Sequence, residues 1–299
     1  MTAARPVLDA PGTHGAAASS PRLIPYVPVL LFAPCFIIYA ILFIWPQLSL
    51  LATSFVDGNQ WSIAHYQRFL GDSYYWELLG RTLFLGVITT VITLVLGLPV
   101  AYLLARMQSR WAGFLLVITT FPLLVSAVVR SFGWMVLFFR DGLISKLVVA
   151  LGLASPPFQL MYTMSGVVIA LAQVLLPLMV LTLYGVFRSI DRGLELAAMS
   201  LGARPSLALW LVTFRLARGG ILAGSLLVFS LAISTFATPS LVGGARAHVM
   251  STAIYEQTIE LLNWPFAAAL SSILLVFVLV LALVYGRVLE GRGQTEARS

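Results

Sequence analysis

Residues 191–205 read Asp-Arg-Gly-Leu-Glu-Leu-Ala-Ala-Met-Ser-Leu-Gly-Ala-Arg-Pro. Glu195 to Leu201 are good helix formers. Gly202 suits the left-handed residue that closes a helix, and Pro205 suits the first position of the next one. The spacing predicts two short helices joined by a tight turn. Leu194, Ala197, Ala198 and Leu201 then share one smooth face. Such a face can seat in a groove on another protein or lie on lipid headgroups. A second residue with chemical intent is Arg130, the one formal charge inside the long apolar blocks. A guanidinium at membrane depth is expensive and faces a cavity or a polar partner. Ser126 and Trp134 stand one helical turn to either side of it. Tyr102, Gln173, Thr235 and Thr238 are further polar residues in apolar surroundings, suited with Ser126, Arg130 and Trp134 to the wall of a solute path.

Other chemistries find no support. His14, His65 and His248 lie far apart and read as loop residues, and Cys35 is the one cysteine. No metal cluster, disulfide framework or cofactor is expected. There is no Gly-x-x-x-x-Gly-Lys-Ser/Thr loop to cradle ATP. No catalytic residues are expected either, because Asp191 beside Arg192 is too little for a membrane-embedded enzyme.

The elements that must position these residues are read from composition. Hydrophobic residues make up 60% of the 299 and charged residues only 10%. A soluble domain carries about 25% charged residues, so lipid is the solvent. A bilayer core of about 30 Å needs about 20 apolar residues as a helix. Six segments qualify: 27–51, 82–105, 112–139, 162–187, 219–237 and 262–286. The fold class is an all-α integral membrane protein with six transmembrane helices. Gly97, Pro99, Pro122, Pro177 and Pro239 are expected to interrupt or kink their spans. Trp61, Tyr66, Tyr74, Tyr75 and Trp76, between the first two spans, suit the membrane–water interface.

Charge sets the orientation. Arg5, Arg22, Arg106, Arg110, Arg188, Arg192, Arg204, Arg215, Arg218, Arg287, Arg292 and Arg298 fall on one side of the six spans. Arg68, Arg81, Arg140, Lys146 and Arg246 fall on the other. Twelve against five places both termini and the 189–218 connection in the cytoplasm. The net charge of +7 reflects this retention rather than nucleic-acid binding. The apolar stretch of the first segment is too long for a cleaved signal, so it is read as a retained anchor. The layout is a disordered tail over 1–26, a first transmembrane helix and outer loop over 27–80, a core over 81–286 that carries the loop 189–218, and a tail over 287–299.

Leu194-Glu-Leu-Ala-Ala-Met-Ser-Leu-Gly-Ala203 resembles the "EAA" loop of bacterial ABC importer permeases: Glu-Ala-Ala, two variable residues, then Leu-Gly-Ala. The match is Ala197, Ala198, Leu201, Gly202 and Ala203. The glutamate position is Leu196, with Glu195 one residue early, and Val212-Thr-Phe-Arg215 departs from the family's Val-Thr-Leu-Pro. Gly97-Leu-Pro-Val-Ala-Tyr-Leu-Leu-Ala105 and Pro122-Leu-Leu-Val-Ser-Ala-Val-Val-Arg130-Ser-Phe-Gly-Trp134 extend the resemblance. Thr238-Pro-Ser-Leu-Val-Gly-Gly244 and Asn263-Trp-Pro-Phe-Ala-Ala-Ala-Leu-Ser271 are similar to the spermidine/putrescine branch.

The resemblance implies a type I importer permease bundle of the MetI-like kind in a bacterial inner membrane. It implies that Glu195, Ala197, Ala198, Leu201, Gly202 and Ala203 form the loop that couples to an ATPase. It implies as partners ABC ATPase subunits, a second permease chain of different sequence, an extracytoplasmic solute-binding protein and the lipid bilayer. The branch points to a polyamine. The spans themselves hold no Asp or Glu, and Arg130 suits an anionic group, so the residues also allow an amino-acid-like or opine-like solute. An ion-coupled secondary transporter is the rival reading. It needs acidic or histidine residues within the spans, and none is present.

Overall fold

A computed structural model describes residues 26–58, 60–152, 155 and 158–296. The expected N-terminal tail lies outside the described residues up to position 25. Two compact units divide between Ser49 and Leu50. The first holds helix α1 (Tyr26–Tyr39), a π-helical turn (Ala40–Ile44) and the start of α2 (Trp45–Thr53). Phe36, Ile37, Ile38 and Tyr39, successive residues on every side of α1, are all exposed, as on a helix bathed in lipid.

The second unit opens with a two-stranded hairpin, β1 (Val56–Asp57) and β2 (Gln60–Trp61), then α3 (Ala64–Gly71). The long helices follow: α4 (Ser73–Arg106), α5 (Trp111–Thr120), α6 (Ala127–Phe138), α7 (Leu143–Ala150) and α8 (Met164–Ser189). Next come α9 (Arg192–Ser200), α10 (Pro205–Ala208), α11 (Arg215–Ser234), α12 (Met250–Tyr255) and α13 (Trp264–Glu296). Among the described residues, five helices are long and apolar enough to cross a membrane, or six if the bent pair 111–124 and 127–150 counts as one span.

Several expected boundaries move. The second span starts at Ser73, well before residue 82, because Asp72 caps it: its side chain accepts from the Tyr74 N–H at 2.9 Å. The helix from Pro205 does not stop in the connection but runs without a break to Ser234. The last helix continues past the expected end at 286. Pro99 and Pro177 sit inside unbroken helices, so neither ends its span. Neighbouring helices can cover the backbone group that a proline frees. The aromatic belt is also divided. Trp61, Tyr74 and Trp76 are exposed, but Tyr75 is buried with Phe69 and Phe266 in a core cluster.

The body is built on α4, α8 and α11, which pack against one another. Without a hydrophobic drive between helices in lipid, close backbone approach supplies the contact, so small residues mark the seams. Gly86 on α4 lies under Ile233 and Phe229 of α11. Gly97 lies under Met179 of α8, while Gly220 and Gly224 on α11 face Val186 and Thr182 of α8. A buried hydroxyl joins distant parts of the chain: Thr82 Oγ1 accepts from the Met250 N–H at 2.8 Å and donates to Leu78 O.

Candidate functional site

The 189–218 connection folds as its residue types dictate. Asp191 caps α9, its side chain accepting from the Gly193 N–H at 2.8 Å. Gly202 ends the helix with φ +93°. The Ala203 N–H reaches back to Ala198 O at 3.1 Å and the Gly202 N–H to Met199 O at 3.0 Å. These are the two bonds of a Schellman motif. Pro205 then opens the next helix. Leu194, Ala197 and Leu201 are exposed, and Leu201 most of all at 90%.

Glu195 behaves differently from its neighbours. It is the single buried residue of α9. Its Oε1 accepts from Arg106 Nη2 and Thr213 Oγ1, and its Oε2 accepts from the Tyr102 hydroxyl at 3.2 Å. Arg106 also donates through Nη1 to Ile190 O at 3.0 Å. Burial works to raise the Glu195 carboxyl, but the hydrogen bonds from Thr213 and Arg106 outweigh it and hold the group below its ordinary value. A depressed carboxyl stabilises the fold above its unfolded pKa and loses that contribution as pH falls through the folded value. The loop anchor is therefore charged and intact at neutral pH. Tyr102, expected in the wall of a solute path, instead points at this anchor. Arg106 and Thr213 were not anticipated, because they lie far from Glu195 in sequence.

The span expected over 112–139 is not continuous. A 3₁₀ turn at Phe121–Leu124 with Pro122 near its start is followed by extended backbone at Val125 and Ser126. The helical segments on either side are bent by 92°. Ser126 is the cap of α6, one turn before Arg130, its carbonyl accepting from the Arg130 N–H at 3.1 Å. Arg130 Nη1 donates to Pro122 O at 2.6 Å, across the break, and its Nε is buried with no hydrogen-bond partner. The guanidinium clamps the bend. Replacing Arg130 with Ala removes a charge-assisted hydrogen bond of about 1.5–3 kcal/mol. The purified protein is expected to melt at a lower temperature, with lysine restoring part of the loss. An unchanged melt for Arg130→Ala would show that the clamp is idle.

Of the remaining polar residues, Trp134, Gln173 and Thr238 meet at α6. Trp134 Nε1 donates to Gln173 Oε1 at 3.3 Å, joining α6 to α8. The buried Thr238 hydroxyl lies 3.3 Å from that of Ser131, a residue the sequence did not single out. Thr235 stands apart from these contacts at the end of α11, where its carbonyl accepts from Ser251 Oγ at 2.9 Å.

Comparisons with known proteins agree on a class. No family model matches the chain. It is 32% identical over 257 residues to the spermidine/putrescine transport system permease protein PotB of Escherichia coli (strain K12), covering 83% of this chain and 93% of that protein. It is 32% identical over 196 residues to the molybdenum transport system permease protein ModB of Mycobacterium tuberculosis, covering 66% and 72%. A chain of a bacterial ABC transporter that imports the acidic polysaccharide alginate superposes with a TM-score of 0.74 at 15% identity, over 88% of this chain and 94% of that one. A second structure of an alginate transporter, in complex with its periplasmic protein, gives 0.71 at 16% identity over 87% and 92%.

Proposed function

Because the chain belongs to the family of ABC importer permeases that includes PotB, we propose that it forms half of an ATP-driven import path for spermidine, putrescine or a similar polyamine. The observation that carries this reading is the likeness to PotB over most of both chains. A partner ATPase hydrolyses ATP, a second and different permease completes the path, and an extracytoplasmic binding protein delivers the solute. The complex of the alginate transporter with a periplasmic protein supports that last partner.

Both termini and the 189–218 connection face the cytoplasm. The arginine distribution supports this orientation. In the coupling loop, α9 docks on the ATPase through Leu194, Ala197, Ala198, Leu201, Gly202 and Ala203. The exposure of Leu194, Ala197, Leu201 and Gly202 and the sharp Schellman turn support the assignment. Glu195 belongs to the same loop but faces its own chain. The solute path runs past Ser126, Arg130, Trp134, Gln173, Thr235 and Thr238. The α6 contacts that gather Trp134, Gln173, Ser131 and Thr238 support this wall. The six apolar segments read from the sequence hold no carboxylate, so the second permease supplies the negative charge a polycation needs at membrane depth.

The test is copurification from membranes with the neighbouring gene products. ATP hydrolysis is then followed with the binding protein and a panel of polyamines, amino acids and opines. Stimulation by spermidine or putrescine is the expected outcome. A chain that purifies without an ATPase would overturn the importer mechanism, and stimulation by an anionic solute would overturn the polyamine assignment.

A further inference from the structure

We infer that Glu195 is a positioning residue through which α9 drives α4 and α11 together. This rests on the reading of α9 as the coupling helix. Three observations carry it. First, α9 is nine residues long and Glu195 is its one buried side chain. The helix is therefore attached to the body chiefly through this residue and through the ends of the connection. Second, every partner of the carboxylate comes from another element. Tyr102 and Arg106 lie one turn apart at the end of α4, and Thr213 lies in the π-helical turn Leu209–Phe214 that leads into α11. Third, α4 and α11 pack closely on each other and on α8.

The chemistry suits transmission of force better than an apolar contact would. Hydrophobic contact is non-directional and lets surfaces slide. Hydrogen bonds to a charged carboxylate are directional and among the strong ones. Donors reaching both oxygens from two helices fix the rotation of α9 as well as its position. Meanwhile Leu194, Ala197 and Leu201 stay exposed for a partner. The docking face and the anchoring residue are thus different surfaces of one short helix.

The experiment uses the complete complex of both permeases and the ATPases. Cys35, the native cysteine, is replaced by serine. Spin labels are placed at the exposed positions 103 on α4 and 196 on α9, and their separation is measured without nucleotide and with ATP plus vanadate. In the wild-type background the separation stays constant between the two states. In Glu195→Ala the ATPase still copurifies, but the separation changes by about 2 Å or more, the scale of helix shifts in switching proteins. Glu195→Gln keeps an acceptor oxygen for Arg106 and Thr213 and brings the separation back toward constancy. Thr213→Val and Tyr102→Phe remove one donor each, leave the charge pair in place, and give smaller changes of the same sign.

A constant separation in Glu195→Ala and in both hydroxyl variants overturns the inference. So does loss of the ATPase from a Glu195→Ala protein that is still folded, because the carboxylate would then belong to the docking surface. If Glu195→Ala does not fold, the two hydroxyl variants decide. A wild-type complex that holds no ATPase overturns the coupling reading itself, and this inference with it.

Discussion

Replacing Gly86 by leucine is expected to leave no packed helical body to purify. A Cβ at this position would lie 2.5 Å from Ile233 Cγ2 and 2.7 Å from Phe229 Cε2, distances that real Cβ atoms do not tolerate. Ile233, the nearest neighbour, is fully buried, whereas the Phe229 ring borders a cavity with Val87 and Leu226 and can give only part of the room needed. In water, alanine would gain about 1 kcal/mol of helix propensity over glycine. Overpacking a filled site costs about 1–3 kcal/mol, so even Gly86→Ala should come out destabilising. Leucine adds three more carbons at the same seam and should exceed that range. Gly80 lies on the same helix with open space around its Cβ position. Gly80→Ala should therefore be neutral or slightly stabilising. Fluorescence-detected size exclusion after heating measures all three. A Gly86→Leu protein as heat-resistant as wild type would mean that α4 and α11 do not approach as described.

Gly202→Leu should act in the opposite way, sparing the fold and removing the function. Nothing lies within 4 Å of a Cβ at this position, so no clash arises. The cost is the backbone alone: φ is +93°, and a left-handed conformation costs a residue with a Cβ about 1–2 kcal/mol. That is small beside the packing of the bundle but large for a nine-residue helix attached at one buried point. The turn should relax, and α9 should no longer meet its partner at the same angle. Uptake per ATP of the solute that stimulates hydrolysis is expected to fall by about tenfold or more, within the usual range of coupling energies, while the complex still assembles. Asparagine accepts left-handed backbone better than leucine does, so Gly202→Asn should keep much of the uptake. Wild-type uptake by a well-expressed Gly202→Leu protein would sink the coupling assignment.

What could be read from the chain alone follows from which constraints are local. Six apolar segments were legible because the bilayer fixes their length. The turn at Gly202 was legible because a left-handed helix end has few other solutions. The prolines were not. Pro99, Pro122 and Pro177 look alike in an apolar run, yet only Pro122 adjoins a true break. What distinguishes it is the arginine eight residues on that donates to its carbonyl, together with the extended backbone at Val125 and Ser126. Glu195 was legible as a member of the loop but not in its direction. Its donors Arg106 and Tyr102 lie some ninety residues earlier, and no periodicity links them to it. Ser131 escaped notice for the same reason, since its partner Thr238 comes from beyond α11.

The bend of 92° bears on how the protein is made. The segment Trp111–Leu124 has 14 residues, about 21 Å of helix at 1.5 Å per residue, short of a hydrocarbon core of about 30 Å. It cannot be threaded from the ribosome into lipid as a finished rod, as α4 or α8 can. Its bent form is held by Arg130 and packs against α8, both of which come later in the chain. The contacts that hold the bend are therefore complete only when α8, later in the chain, is present. A chain truncated just before residue 164 would lack the α8 surface against which the bent stretch packs.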